Sequence, residues 1–204
     1  MTTFYFVRHG ETEINRQRRF NGATVDSPLT KEGVEATERL AEQLKDVPFD
    51  LVISSTQMRA QTTATILLDH HNQLDAGALT TDSRLIELNL GEWEGVEINS
   101  VSDHPEFDHY MQRPDLFDAE SIGAETYDSL LARTNEVLKE LKQKYPDGTI
   151  LIVSHGIVLR TLLKTLQGIP LAKTREGAPF ANASVTIAHT EGDQLLFDQW
   201  GQTF

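Results

Sequence analysis

The chain has 204 residues, with 18 Lys and Arg against 31 Asp and Glu, so its formal net charge is −13. This balance argues against a nucleic-acid ligand and against binding to an anionic membrane surface, because both favour basic proteins. The sequence contains no cysteine, which excludes disulfides, thiol catalysis and cysteine-ligated zinc.

We expect one domain over residues 1–204, since this length suits a single core and no linker, repeat or low-complexity tract interrupts it. The N-terminus reaches a charge at Arg8 without a basic or an apolar leader region, so no secretory signal is predicted. No apolar run approaches the roughly 20 residues that span a bilayer. We therefore expect a soluble protein of the cytoplasm. The sequence indicates no oligomeric state.

Three short apolar runs, rich in Val, Ile and Phe, predict buried parallel strands. They span residues 4–7, 51–54 and 150–154. A helix is predicted after each of these strands: one capped by Thr30, one over about residues 57–69 and one that starts near Gly156. A fourth helix, over about residues 127–145, precedes the third strand. This alternation predicts an α/β fold, in which a doubly wound and mostly parallel sheet is flanked by helices.

The remaining segments are less regular. Residues 84–86 look like a strand, and β-type runs over 184–189 and 194–200 predict a hairpin with its turn at 190–193. Residues 91–123 show little periodicity and contain two prolines. We expect short helices and loops there, which form a lid over a site.

Polar side chains follow the three predicted strands at their carboxyl ends, where ligands bind in open α/β sheets. Arg8 and His9 end the first strand, Arg59 follows the second, and His155 follows the third. A glycine comes after each histidine, which allows the backbone to approach a ligand closely. Two histidines and two arginines at one sheet edge, together with helix N-termini, predict a phosphate site.

A set of ordered motifs runs along nearly the whole chain. They are Phe6-Val-Arg8-His9-Gly10-Glu11-Thr12-x-x-Asn15, Asp26-x-Pro28-Leu29-Thr30-x-x-Gly33, Ser54-Ser55-x-x-x-Arg59-Ala60-x-x-Thr63-Ala64, Glu87-x-x-x-Gly91-x-Trp93-Glu94-Gly95, Val153-Ser154-His155-Gly156 and Asn182-Ala-Ser184-Val185-Thr186. Each is weak alone, but the ordered set resembles the histidine phosphatase superfamily, the phosphoglycerate-mutase-like group. The resemblance implies that group's fold and its phosphoryl-transfer chemistry.

The resemblance also implies catalytic roles. His9 is then the nucleophile that attacks phosphorus and forms a phosphohistidine, which is reasonable because a neutral imidazole needs no deprotonation. Arg8, Arg59 and His155 bind the phosphoryl oxygens and stabilise charge during transfer.

Further residues complete the implied site. Asn15 adds a neutral donor, and backbone N–H groups near Gly22 contribute to phosphate binding. The leaving alkoxide needs a proton, and the resemblance places the general acid at Glu87. Glu92 and Glu94 are nearby alternatives, for which we expect structural roles. Glu125, which stands in the family pattern Gly-x-Glu-Ser/Thr, is predicted to cap the helix that starts near residue 127.

These residues predict a phosphomonoesterase that uses no metal or other cofactor, because guanidinium and imidazole groups supply the positive charge. The expected partner is a small-molecule phosphomonoester, without nucleic acid or membrane. Six carboxylates of the lid region disfavour highly charged bisphosphates, which favours small or hydrophobic monophosphates. They are Asp103, Glu106, Asp108, Asp115, Asp118 and Glu120.

A phosphoglycerate mutase is the second prediction. Such mutases resemble this chain at the catalytic core, but their acid is followed by Arg-His-Tyr-Gly and shortly afterwards by a Lys. Here the stretch after Glu87 reads Leu-Asn-Leu-Gly, and residues 96–99 contain no Lys. Without these cations a bisphosphorylated intermediate loses strong hydrogen bonds, which favours the phosphatase.

Two other classes stay open. A metal-dependent phosphohydrolase would use His9, His155, Glu87 and an Asp, but the two neighbouring arginines repel a cation. A non-catalytic phosphate-binding module usually lacks the nucleophile, and His9 is present. A phosphoprotein substrate is also compatible, because a fold does not determine its substrate.

Overall fold

A computed structural model of the protein describes residues 1–192 and 194–204. In these ranges one sheet contains six strands: β1 (Thr3–Arg8), β2 (Leu51–Ser55), β3 (Leu79–Asp82), β4 (Thr149–Ser154), β5 (Val185–Glu191) and β6 (Gln194–Gln202). The α-helices there are α1 (Glu13–Arg16), α2 (Lys31–Leu44), α3 (Met58–Asp69), α4 (Phe107–Gln112), α5 (Tyr127–Lys144) and α6 (Gly156–Leu166). The predicted hairpin turn includes Asp193, which lies outside the described residues.

The strand order is β3-β2-β4-β1-β5-β6. The first four strands in this order pair in parallel, and β5 and β6 are antiparallel. The mostly parallel sheet with helices between its strands confirms the predicted α/β fold. No helix in the described ranges combines the length and apolar character that a bilayer crossing requires.

The sheet separates two cores, because successive side chains of a strand point to opposite faces. In β4, Ile150 and Ile152 pack with α5 and α6, whereas Leu151 and Val153 pack with α2 and α3. Burial on both faces explains why the central strands are continuous apolar runs rather than alternating ones.

Hydroxyl caps set where two helices begin. Thr30 Oγ1 accepts the Gly33 N–H at 2.9 Å, which confirms the predicted cap of α2. Thr126 Oγ1 accepts the Ser129 N–H at 3.2 Å at the start of α5. The prediction that the carboxylate of Glu125 caps α5 is therefore wrong, because the neighbouring threonine does so.

The prediction of a strand over residues 84–86 is also wrong. The strand is β3, which ends at Asp82, and residues Ser83–Leu85 form a 3₁₀ helix. The Asp82 carboxylate accepts the Arg84 N–H at 2.8 Å, which turns the chain out of the sheet. Leu85 then enters the core between sheet and helices, with 2% of its side chain exposed.

Residues 91–123, the lid, consist of short helices and loops, as predicted. They form a third core with α5 and α6, in which Trp93 stacks on Phe20 at 5.4 Å between ring centroids. Tyr110 meets the same indole edge-on at 5.7 Å. Leu130 of α5 and Val158 of α6 complete this core. The lid is therefore packed on the two helices that follow it in the chain.

Replacing Leu130 by Ala tests this packing. Leu130 is fully buried, so the truncation should lower the free energy of unfolding by about 2–5 kcal/mol. Leu116→Ala is the control, since Leu116 is 50% exposed in the lid, and it should change stability by less than about 0.5 kcal/mol. Urea denaturation followed by fluorescence and by circular dichroism should give one common transition. Similar effects of the two substitutions would contradict the shared core.

Candidate active site

The carboxyl ends of β1, β2 and β4 bring together three side chains that the sequence placed at one edge. The rings of His9 and His155 lie 5.2 Å apart between centroids. The Arg59 Nε–H donates to His155 Nδ1 at 3.2 Å. His9 follows β1 directly, and its backbone is held there because its N–H donates to the Ser154 carbonyl and its own carbonyl accepts from the Asn182 side chain, both at 3.0 Å.

The protonation state of His9 follows from its hydrogen bond. Its Nδ1 lies 2.7 Å from the Gly10 carbonyl, which can only accept, so Nδ1 carries the hydrogen. Burial, followed by the charges of Arg59 and Arg8, holds the pKa of His9 well below its ordinary value. The ring is therefore neutral at neutral pH, and Nε2 presents a lone pair that can attack an electrophile.

His155 is neutral for the same reasons, because burial and then Arg59, His9 and Arg8 lower its pKa well below the ordinary value. Its tautomer is the opposite one. Nδ1 accepts from Arg59, so Nε2 carries the hydrogen and donates to Ser55 Oγ at 2.8 Å. Both ring nitrogens thus have protein partners. A phosphoryl contact from His155 requires Nε2 to exchange Ser55 for a phosphate oxygen.

Arg59 is fully buried, and its five N–H groups all have acceptors. The acceptors are the carbonyls of Asn21, Gly22 and Val25, the Asp26 carboxylate and the His155 ring. The sequence predicted that Arg59 binds phosphate directly. In the structure it holds the loop after α1 and supplies charge next to His9, and direct contact with phosphate requires release of a loop carbonyl.

Arg8 has free donors. Its Nη1 donates to the Phe180 carbonyl at 2.5 Å, while its Nε is buried and has no partner in the described part of the chain. A Cβ at Gly156 would lie 3.1 Å from this Nε, so the glycine makes room for the guanidinium. Burial lowers the pKa of Arg8, but from so high a value that the group stays charged. Arg8 is thus placed to bind an anion.

Asn15 lies in α1, and Gly22 lies in the loop that follows this helix. Asn15 Oδ1 accepts from Thr12 at 3.2 Å and 3.0 Å, which caps α1 and leaves the side-chain NH₂ for the cavity that Asn15 lines. Gly22 turns its carbonyl to Gln57 Nε2 at 2.8 Å. A Cβ at Gly22 would lie 2.2 Å from Glu94 Oε1, so the loop needs glycine there.

Glu87 lies in the cavity wall at the N-terminus of α6, with 6% of its surface exposed. Its carboxylate accepts the N–H groups of Leu88 at 2.8 Å, Ile157 at 3.0 Å and Val158 at 3.1 Å. A helix N-terminus favours a carboxylate there, since its first N–H groups lack intrahelical partners. Glu94 instead accepts the N–H groups of Ala23 and Leu90 outside the cavity, as a structural role requires.

Sequence analysis missed the group that holds the Glu87 loop. Arg133 of α5 donates to the carbonyls of Arg84 at 2.7 Å and Ile86 at 2.8 Å. Its Nε donates to Glu125 at 2.7 Å, so Glu125 fixes this arginine rather than the helix start. One sequence signal could have indicated this role: Arg133 lies next to the buried side of an amphipathic helix, and a buried charge needs a partner.

The cavity above these residues has a volume of about 280 Å³. Arg8, Asn15 and Glu87 line it, together with apolar lid side chains such as Met111. Three further arginines also line it: Arg19, Arg160 and Arg175. None of the six lid carboxylates is among the lining residues in the described ranges. The expectation that lid acidity disfavours charged substrates therefore lacks a structural basis.

The alternative metal site does not form. Among the residues described, no group of three or more His, Asp or Glu side chains is arranged to hold a metal ion. His155 is engaged by Arg59 and Ser55, and Glu87 by backbone N–H groups. His9 alone keeps a free nitrogen. These three side chains therefore lack the shared set of free ligand atoms that a metal needs.

Comparison with known proteins gives consistent matches. The model of the histidine phosphatase superfamily (branch 1) matches residues 4–203. The probable phosphoglycerate mutase GpmB of Salmonella paratyphi A is 31% identical over 200 residues, which cover 98% of this chain and 90% of that protein. The structure of Bacillus stearothermophilus YhfR has a TM-score of 0.89 at 33% identity and covers 99% and 98% of the two chains. The alpha-ribazole phosphatase from Shigella flexneri has a TM-score of 0.83 at 26% identity, covering 98% and 96%.

The buried histidines predict a pH dependence of stability. The unfolded chain takes up protons near the ordinary histidine pKa of 6.5, whereas the folded protein keeps His9 and His155 neutral well below it. The unfolded state therefore binds more protons as the pH falls through about 6.5. The free energy of unfolding should then fall by up to about 1.4 kcal/mol per pH unit for each histidine.

Urea titrations at pH 7.5 and pH 5 test this with His9→Gln, which removes one of the two rings. The variant should lose less stability than the wild type over this interval. His70→Gln, at the surface end of α3, is the control and should retain the wild-type loss. Equal losses in wild type and His9→Gln would show that His9 is not held neutral.

Proposed function

The chain belongs to the histidine phosphatase superfamily, and we propose that it is a phosphomonoesterase that works through a phosphohistidine intermediate, without a metal ion, on small phosphorylated metabolites. The observation that carries this proposal is the state of His9. Its Nδ1–H is committed to the Gly10 carbonyl, its ring is neutral and its Nε2 lone pair is free. The charge of Arg8, whose Nε has no partner in the described part of the chain, acts on this ring.

In the first step the phosphoryl group is bound by Arg8, by the Asn15 amide and by the Gly22 backbone N–H. His9 Nε2 attacks phosphorus in line with the ester oxygen, so that an N–P bond forms while the P–O bond to the alcohol breaks. Negative charge develops on the transferring oxygens and on the leaving oxygen. The charges of Arg8 and of the buried Arg59 stabilise it.

Glu87 takes up a proton from solvent as the negative charge of the substrate enters the site, and it donates this proton to the leaving oxygen, which departs as a neutral alcohol. Its carboxyl group lies in the cavity wall and is fixed by the first turn of α6, while Arg133 fixes the loop that carries it. In the second step Glu87 accepts a proton from water, and the oxygen of that water attacks phosphorus. The P–N bond breaks, inorganic phosphate is released, and His9 returns to its neutral state.

A phosphoglycerate mutase is the second candidate, since the GpmB relative carries that name with the qualifier probable. The stretch after Glu87 disfavours it. Leu88 and Leu90 are 0% and 2% exposed and pack in the lid core, so this stretch contributes apolar packing where such mutases place cations. This stretch therefore favours hydrolysis of the phosphoenzyme by water.

We predict that a phosphohistidine can be trapped at His9. The enzyme is mixed with a ³²P-labelled alkyl phosphate in EDTA and quenched within milliseconds. The protein should carry label that is labile to acid and stable to base, because a phosphoramidate has this behaviour. Inorganic phosphate should be released at the same rate as the alcohol, whereas a mutase would return the phosphoryl group to the alcohol.

His9→Ala should carry no label, and His70→Ala, far from the site, is the matched control that should be labelled like the wild type. Label retained by His9→Ala would assign the nucleophile elsewhere. Turnover that EDTA abolishes and a divalent ion restores would contradict metal independence.

We predict that Glu87→Gln slows an alkyl phosphate far more than p-nitrophenyl phosphate. Gln keeps the size of the side chain but has no proton to donate. A general acid contributes about 10²–10⁴-fold only when the leaving group needs protonation, and p-nitrophenolate does not. The ratio of kcat/KM for the two substrates should therefore change by about 10²-fold or more.

Glu94→Gln is the control for this measurement, because Glu94 is half-buried near the same loop but, unlike Glu87, is not among the described residues that line the cavity. It should slow both substrates to a similar degree. If Glu94→Gln changes the ratio and Glu87→Gln does not, Glu94 is the acid.

A further inference from the structure

The outer part of the cavity carries three arginines that the proposed phosphoryl transfer does not use. Arg19, Arg160 and Arg175 line it, and within the described ranges none of them forms an ion pair with a carboxylate. Glu87 is the one carboxylate among the lining residues described. Uncompensated positive charge in a partly apolar cavity favours an anionic ligand.

Arg175 is held in place by an aromatic ring and still has free donors. Its guanidinium lies 4.5 Å from the centroid of the buried Tyr110 ring. Its Nε is buried and lacks a partner in the described part of the chain. The charge of Arg175 also acts on Tyr127, whose buried hydroxyl lacks a partner in the described part of the chain. Buried donors without partners are rare in folded proteins, and a ligand is one group that satisfies them.

The loop that carries Arg175 is held in place by hydrogen bonds from Arg160. Arg160 of α6 donates from Nε to the Thr174 carbonyl at 2.9 Å and from Nη2 to the Gly177 carbonyl at 2.7 Å. Further bonds from Nη2 reach the carbonyls of Arg175 and Glu176. Arg160 thus fixes the loop against α6 and positions the Arg175 side chain over the cavity.

We propose that these arginines form a second anion subsite, in which Arg175, with Arg19 at the mouth, binds an anionic group on the leaving alcohol of the substrate. The inference rests on the proposed function, because a phosphoryl group bound at Arg8 leaves the rest of the cavity to the alcohol. The substrate class is then phosphomonoesters of short alcohols that carry a carboxylate or a second phosphate. These cations come from α6 and the loop after it, not from the segment that follows the acid.

A matched pair of substrates tests the subsite. Propyl phosphate and 3-phosphooxypropanoate differ in a terminal methyl against a carboxylate, and propane-1,3-diyl bisphosphate places a second phosphate at the same end. The wild type should prefer at least one of the two anionic esters by about tenfold or more in kcat/KM. Their order shows whether the subsite selects a carboxylate or a phosphate.

Arg175→Gln should reduce this preference by about tenfold to a hundredfold, the range for a lost hydrogen bond between charged groups. Arg175→Lys should retain part of it, since the charge remains. Arg113→Gln is the matched control: Arg113 pairs with Asp115 on the lid surface and does not line the cavity, so the wild-type preference should persist. Thermal melting shows whether each variant is folded.

Hydrolysis of all three esters without a preference, or with a preference that Arg175→Gln leaves intact, would overturn the subsite and leave the proposed function standing. Absence of all hydrolysis would instead contradict the proposed function. The subsite is then decided by calorimetric binding to His9→Ala. Tighter binding of an anionic ester than of propyl phosphate, lost on adding Arg175→Gln, supports the subsite, and equal binding refutes it.

Discussion

The buried guanidinium of Arg59 is the interaction on which the rest of the site depends. A cation removed from water is strongly destabilising unless each N–H meets an acceptor. Here the acceptors come from the loop after α1, from Asp26 and from His155. One side chain therefore fixes the loop that bears Gly22 and the tautomer of His155. Asp26 is its only carboxylate partner in the described ranges, so the cation left without an ion pair at this sheet edge is Arg8.

In the proposed mechanism, the positive charge of Arg8 and Arg59 acts on both the ligand and the nucleophile. It favours a phosphate dianion, and after burial, which is the larger cause, it also lowers the pKa of His9, so that the ring is neutral before the substrate arrives. A serine or threonine in the same place would still need a base to remove its proton. Anion binding and the neutral state of the proposed nucleophile thus share a contributing cause. The accompanying effect is a protein whose folded state resists protonation of two histidines and so loses stability in acid.

The strands β1, β2 and β4 were predictable because they are buried on both faces and read as continuous apolar runs. The convergence of His9, Arg59 and His155 followed from the common direction of those strands. Strand β3 was not predictable, because Leu79-Thr-Thr-Asp82 is a short, polar edge strand. Nor was the partner of Glu125, because its bond to Arg133 depends on how α5 packs against the Glu87 loop. The sequence analysis wrongly expected an acidic cavity. Packing decides which lid side chains face inward, and the lid sequence has no periodic pattern from which this could be predicted.

Helix α6 connects the two ends of the cavity. Its first N–H groups hold Glu87, and Arg160, within one turn, holds the loop that bears Arg175. At a rise of 1.5 Å per residue, the distance along the helix between these attachments is only about 5 Å. A helix packed on the sheet and on the lid is rigid over that length. In the proposed subsite, an anion bound at Arg175 therefore positions its ester oxygen against the proposed proton donor, which is fixed to the same element. Binding energy from the far end of the substrate can then act at the reacting bond.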